Sequence, residues 1–305
     1  MKNKKIILSS IAFIAAILLA VVIIFYNDIT PEDHITQPVE YTTGVSDNID
    51  KISLLSFNIQ IFGTSKMSNK NVVYTLIDII SKYDIIAIQE VRDSSGQAVI
   101  EFMKLLDPKY AYYLGPREGR SSSKEQYWFI YDKTKLKIIN QATYPDISNI
   151  FERRPEGVYF QHINGLFDFV LINKHVAPSD ALKEISYIPN LFDYFYNLFK
   201  DTDIIVVGDF NADGSYFNEN ILSQIFPVDK FSIIIDNSLD TTVADSNNTY
   251  DRIIISNSLL EDFTGKYGVY MFENYYNFVE LAIQPKQISD HYPVWAIFYI
   301  NKDTD

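Results

Sequence analysis

Asp209, Asn211 and Asp213 fall within five residues of one another in "VVGDFNAD". They follow directly on Ile204 to Val207, an apolar and β-branched run of the kind that forms a buried strand. A turn with Asx-type hydrogen bonds would account for that cluster alone. The same pattern recurs, however, along the chain. "ISLLSFN" ends in Asn58, "IIAIQE" in Gln89 and Glu90, and "FVLINKH" in His175. "TYDRIIIS" starts from Asp251 and Arg252, and "SDHYPVWAIF" from Asp290 and His291. If these ends meet at one edge of a pair of sheets, Asn58, Glu90 and Asp290 offer the hard oxygen ligands that Mg²⁺ prefers. His175 and His291 are then the candidates for proton transfer near neutral pH, with the carboxylates of Glu125 and Asp251 available to hold their tautomers. The other two of the four histidines, His34 and His162, lie in a polar stretch and inside a strand-like run. Such a set suits attack by water on a phosphate ester, where a metal ion and hydrogen-bond donors meet the developing charge. The sequence has no serine or cysteine nucleophile motif and no glycine-rich phosphate loop, so water is the expected nucleophile.

The elements that must position these groups can be read from the pattern. Strands are expected at 52–57, 85–89, 127–131, 136–143, 158–163, 167–173, 203–207, 252–256 and 293–299. Helices are expected at 70–82, 96–106 and 180–199, the last kinking or restarting at Pro189. Many strands, few helices and no repeats point to an α+β domain of packed sheets, with residues 49–305 as one domain.

Hydrophobic content of 47% and charged content of 21% are those of a globular chain with a large core, and 22 Tyr and 21 Phe make that core aromatic. The absence of cysteine excludes disulfides, cysteine-ligated zinc and thiol catalysis. A net charge of −13 argues against nucleic-acid binding driven by basic tails. It leaves room for a local basic site, because distant charges are screened beyond about 8 Å at physiological salt.

"MKNKK" precedes an uncharged stretch, residues 6–26, of 21 residues. At about 1.5 Å per residue this matches the roughly 30 Å hydrocarbon layer. An uncleaved transmembrane anchor is expected there, with a cleaved signal peptide as the alternative. Lys2, Lys4 and Lys5 place residues 1–5 in the cytosol and the remainder outside. Residues 27–48, polar and containing Pro31 and Pro38, read as a tether.

Taken in order, "SFNIQ", "IQEVRDS", "SSSKEQYWFIY", "NKHVAPSDA", "GDFNADGSY", "TTVADSNNTYDRI" and "SDHYPV" resemble the endonuclease/exonuclease/phosphatase superfamily, and more narrowly the deoxyribonuclease I family. The resemblance covers about residues 52–299. It implies a four-layered α/β sandwich, two packed β-sheets flanked by helices, with the site where the sheets open. It also implies that Glu125 orients His175 and Asp251 orients His291, that Asp209 and Asn211 flank the scissile phosphate, and that Glu90 binds metal with Asn58 and Asp290 close by. Arg153 would contact phosphate, Arg92 would reach into the DNA minor groove, and Tyr250 would lie along the phosphate track. The implied reaction is Mg²⁺-dependent hydrolysis of DNA, with Mn²⁺ as a substitute and Ca²⁺ as a structural ion; no protein partner is implied. Two departures stand out. Ser123 replaces the family's groove tyrosine beside Arg92, and Gly214 and Asn248 replace its paired cysteines, so loop stiffness must come from elsewhere. A phosphodiesterase of the same superfamily acting on sphingomyelin or inositol phosphates is the alternative reading, and a non-catalytic surface module a third.

Overall fold

Twelve strands carry the fold in the computed structural model, which describes residues 51–301. They are β1 (Lys51–Phe62), β2 (Ile85–Val91), β3 (Tyr110–Leu114), β4 (Gln126–Asp132), β5 (Leu136–Thr143) and β6 (Glu156–His162). The others are β7 (Asp168–Asn173), β8 (Ile204–Asp209), β9 (Phe231–Ile233), β10 (Asp251–Ser256), β11 (Phe263–Val269) and β12 (Val294–Tyr299). One sheet has the order β11-β12-β1-β2-β4-β3 and the other β5-β6-β7-β8-β10-β9.

Only β1 with β2 and β7 with β8 pair in parallel. A parallel pair requires a crossover. Here the helix Lys70–Ile80 supplies the first, and the helices Ala181–Tyr187 and Pro189–Phe199 the second. The Asn69 side chain accepts the Val72 N–H at 3.4 Å and starts the first of these helices. Pro189 starts the last one, as expected from its fixed φ and missing N–H.

Strand alternation sorts the core into three layers of contact. On β1, Ile52 and Leu54 face the other sheet, where they meet Phe160, Phe169, Leu171, Val207 and Ile253. Leu55, Phe57 and Ile59 face outward beneath Val72, Leu76, Ile79 and Ile80 of the first crossover helix. On the opposite side Val170, Ile172 and Val206 pack against Ile185, Leu191 and Phe195. Helices, sheet, sheet and helices therefore stack as four layers, in agreement with the expected sandwich. All described residues belong to one compact unit.

The expected strands are all present, with small differences at their ends. Three were not legible: β3 is a short edge strand, β9 has only three residues, and β11 carries a register shift where Gly265 takes φ +75°. The span expected at 6–26 and the tether at 27–48 lie outside the described residues. Among the described residues, no helix is long and apolar enough to cross a membrane.

Candidate active site

Parallel strands in a crossover unit end on the same edge, and here four such ends coincide. Asn58 lies on β1 near where its pairing with β2 breaks off, Glu90 lies late in β2, His175 follows β7, and Asp209 closes β8. The antiparallel neighbours β4, β10 and β12 begin at that edge, which brings in Glu125, Asp251 and His291. The run of polar strand ends in the sequence is therefore one rim of the two sheets.

Each histidine is held by a carboxylate. His175 Nδ1 lies 2.7 Å from Glu125 Oε1, and His291 Nδ1 lies 2.7 Å from Asp251 Oδ2. The opposite nitrogens converge: Nε2 of His175 is 3.4 Å, and Nε2 of His291 3.5 Å, from Asp209 Oδ2. That same oxygen accepts the Asn58 amide at 2.9 Å. Asn211 takes φ +49°, donates its backbone N–H to Asp209 Oδ1 and gives its side-chain amide to the Val176 carbonyl. Both pairs straddle the two sheets, since His175 and Asp251 belong to one and Glu125 and His291 to the other.

The charges reinforce one another. Burial works against a charged His291 ring, yet Asp251 and Asp209 outweigh it and hold its pKa up to about 10. Burial pushes the Asp251 carboxyl up to about 6, against the pull of the His291 ring beside it. For Asp209, burial alone would raise the carboxyl, but the nearby His291 and His175 hold it below the usual range. Glu125 is also held low, against burial, by His175, Arg153 and Arg92.

Arg153 Nε lies 2.6 Å from the Glu125 oxygen that meets His175, so Arg153 stands in the site. Its neighbour Arg154 turns away into a two-point contact with Glu118. Arg92 reaches Glu90 at 3.0 Å and donates to Ser123 Oγ at 3.0 Å, so Ser123 does sit beside it. The Tyr250 ring centre is 6.1 Å from that of His291. Asp290 stands at the outer edge, 4.0 Å from His291 Nε2, with its side chain 47% exposed. His162 only accepts the Asn164 N–H across a turn, as an ordinary packed residue does.

A divalent cation has a suitable place at Glu90. This carboxylate, on a backbone at φ +65°, accepts the Ile61 N–H and the Asn58 amide and is 13% exposed at the rim. Mg²⁺ keeps several waters and binds through one or two carboxylates, which suits Glu90 at the rim. The Asn58 amide oxygen accepts the Gln60 N–H. Ligand atoms of Asp209, Asp251 and His291 also lie within 4.8 Å of one another, but all three residues are buried and Asp251 is occupied by the imidazole.

Residues to which the sequence reading gave no role in the site hold this rim together. Lys66, on the short helix Thr64–Met67, donates to the carbonyls of Ile59 at 2.6 Å and Ile288 at 2.8 Å. Ser289 Oγ donates to the Asn58 carbonyl at 2.6 Å and accepts the His291 N–H. Gln89 of one sheet donates to Asn173 of the other at 2.7 Å. Around residues 239–250, Asp213 accepts the Thr249 N–H at 2.7 Å, Asp240 accepts the N–H groups of Thr242 and Asn248, and Thr241 Oγ1 accepts those of Tyr250 and Asp251. Hydrogen bonds thus span the loop where Gly214 and Asn248 stand close: a Cβ on Gly214 would meet Asn248 Oδ1 at 3.0 Å. Gln89 and Asp213 carried a strand-end signal; the others lie on a short helix or in turns.

Known proteins agree with this geometry. The sequence model of the Endonuclease/Exonuclease/phosphatase family matches residues 55–291. Deoxyribonuclease-1 of Bos taurus is 34% identical over 261 residues, covering 80% of this chain and 90% of that protein. Deoxyribonuclease-1 of Homo sapiens is 33% identical over 263 residues with the same coverage. Among solved structures, an endonuclease/exonuclease/phosphatase family protein from Bacteroides thetaiotaomicron superposes with a TM-score of 0.61 at 17% identity, covering 82% of this chain and 95% of that one. A mannosyl-6-phosphatase from the same species gives 0.56 at 15% identity, covering 80% and 98%. At such identities these two show the fold alone. With the curated relatives matched along most of their length, the chain belongs to the endonuclease/exonuclease/phosphatase family and, within it, to the deoxyribonuclease I-like enzymes.

Proposed function

We propose that the chain is a divalent-metal-dependent endonuclease that cleaves DNA phosphodiester bonds by attack of water, using His175 and His291 as an acid–base pair. One observation carries this reading: two carboxylate-held imidazoles, from opposite sheets, aim their free nitrogens at the single oxygen Asp209 Oδ2 at 3.4 and 3.5 Å. A phosphate seated there has one imidazole to take a proton from water and the other to give one to the leaving oxygen. Glu125 and Asp251 fix the tautomers that make this exchange productive. Asn58 and Asn211 hold Asp209, which flanks the phosphate. Arg153 offers a guanidinium beside it, while Arg92 and Tyr250 extend the contact surface along the DNA. Glu90, with Asn58 and Asp290, would hold Mg²⁺ or Mn²⁺, and Ca²⁺ is the structural ion of this reading. A bound divalent cation supplies Lewis-acid stabilisation of the negative charge that develops on the phosphate.

The test uses the full chain with supercoiled plasmid in Mg²⁺, in Mg²⁺ plus Ca²⁺, and in chelator, with His175→Ala and His291→Ala alongside. Nicking only with metal, reduced about 10²–10⁴-fold in both variants, is the expected result. Intact DNA alongside cleavage of sphingomyelin or an inositol phosphate would keep the site and overturn the substrate. Action outside the cell rests on residues 6–26 as an anchor: the chain should then stay in the membrane pellet after alkaline carbonate washing, whereas a soluble fraction would point to a cleaved signal peptide.

A further inference from the structure

Lys174 sits between the last residue of β7 and His175, and its side chain is fully buried, as is its partner's. Its ammonium makes three short contacts: Glu184 Oε2 at 2.7 Å, the Arg153 carbonyl at 2.8 Å and the His175 carbonyl at 3.0 Å. The face of Phe151 lies 4.6 Å from it. Glu184, in the helix Ala181–Tyr187, uses its other oxygen to accept the Glu152 N–H at 2.9 Å. The pair therefore gathers three separate segments, those of residues 151–153, of His175 and of the helix behind them. Two of those segments carry groups that meet on one atom, since Arg153 Nε and His175 Nδ1 lie 2.6 and 2.7 Å from Glu125 Oε1.

A fully buried ion pair is weak ground for stability, because desolvation offsets its attraction and an apolar pair of similar volume serves as well. Its directional contacts are another matter. An apolar side chain at position 174 could not grip two carbonyls at once. Resting on the acid–base reading of the site, we infer that Lys174 and Glu184 are positioning residues that fix the main chain of Arg153 and of His175, so that guanidinium and imidazole share Glu125. Neither touches the reacting atoms. They work from behind the site by setting where two of its side chains start.

The experiment compares the full-length parent with Lys174→Met, Glu184→Gln and the double variant, following plasmid nicking in Mg²⁺ and thermal unfolding. Lys174→Met alone strands a buried carboxylate and is expected to unfold at lower temperature. The double variant removes both charges, keeps an acceptor for the Glu152 N–H, and is expected to melt within a few degrees of the parent. Its kcat should fall about ten- to a hundredfold with KM little changed, the scale of a small misplacement of catalytic groups. Glu184→Gln alone, which keeps the lysine's grip on both carbonyls, should recover most of the kcat lost in the double variant. A double variant that melts like the parent and keeps its kcat overturns the inference. So does an equal loss of kcat and melting temperature across all three variants, which a purely structural pair would give. His175→Ala run alongside separates the two readings: if it still cleaves, the acid–base assignment fails, whatever Lys174 does.

Discussion

At the scale of single residues, the two histidine–carboxylate pairs carry the sharpest expectations. Asp251→Asn keeps the shape but removes the charge that holds His291 in its protonated, correctly turned form. Nicking should fall by about 10²–10⁴-fold with KM nearly unchanged, checked by steady-state cleavage at fixed Mg²⁺. The same pairing has a pH signature in stability. The folded pKa of His291 is raised from 6.5 to about 10, so its stabilising contribution is complete below the unfolded value and is lost as pH rises through about 10. In chelator, the urea midpoint of the parent should therefore decline over that window, and the decline should be shallower in His291→Ala. His175, Asp251 and His291 were legible because each stands at one end of an apolar, strand-forming run, whereas Glu125 entered as an available carboxylate and through the family resemblance. Lys66 and Ser289 were not, since nothing in "TSKMSN" or "QISDH" ties Lys66 to the Ile59 carbonyl or Ser289 to the Asn58 carbonyl until the chain is folded. Which of the adjacent Arg153 and Arg154 enters the site likewise needed geometry, because neighbouring side chains diverge and sequence cannot say which turns inward.

At the scale of elements, the rim depends on close approach of backbones. Gly208 holds φ +136°, and a Cβ there would lie 1.8 Å from the Lys174 carbonyl oxygen. Gly208→Ala should cost about 3 kcal/mol or more through strain and overpacking in the β7–β8 pair, read from urea unfolding of the purified chain. The loop before β10 has a different weak point. Thr241 is fully buried, and Thr241→Val would strip the acceptor from the Tyr250 and Asp251 N–H groups, at a cost of about 1–3 kcal/mol. Because Asp251 is one of those donors, kcat should fall as well. The central strands could be read from β-branched runs buried on both faces. The edge strand β3, the three-residue β9 and the glycine-broken β11 could not, because a short or half-exposed strand leaves no lasting alternation.

At the scale of the whole molecule, a net charge of −13 must coexist with a polyanionic substrate. Arg92 and Arg153 are cations at the rim engaged by carboxylates, and the Lys66 ammonium is taken up by the Ile59 and Ile288 carbonyls. With about two phosphates neutralised, DNA affinity should drop only about tenfold between 50 and 200 mM salt. Binding of inactive His175→Ala to duplex DNA by anisotropy would check this, and a fall of several orders of magnitude would reveal a basic surface elsewhere. Packed sheets were legible from the pattern of strands, and the four-layer architecture through the resemblance of the family motifs. The crossing of each histidine pair from one sheet to the other was not, because register between two layers is decided by packing rather than by local pattern.

That crossing also bears on when the chain becomes dangerous to its maker. His291 stands just before β12, the last strand of the described chain, and its carboxylate arrives forty residues earlier on the opposite sheet. His175 likewise follows its carboxylate, Glu125, by fifty residues. No nascent fragment shorter than about the full domain holds both pairs. On the proposed acid–base reading, a chain that still lacks β12 lacks one of the two held imidazoles, and hydrolytic capacity arrives only with that strand.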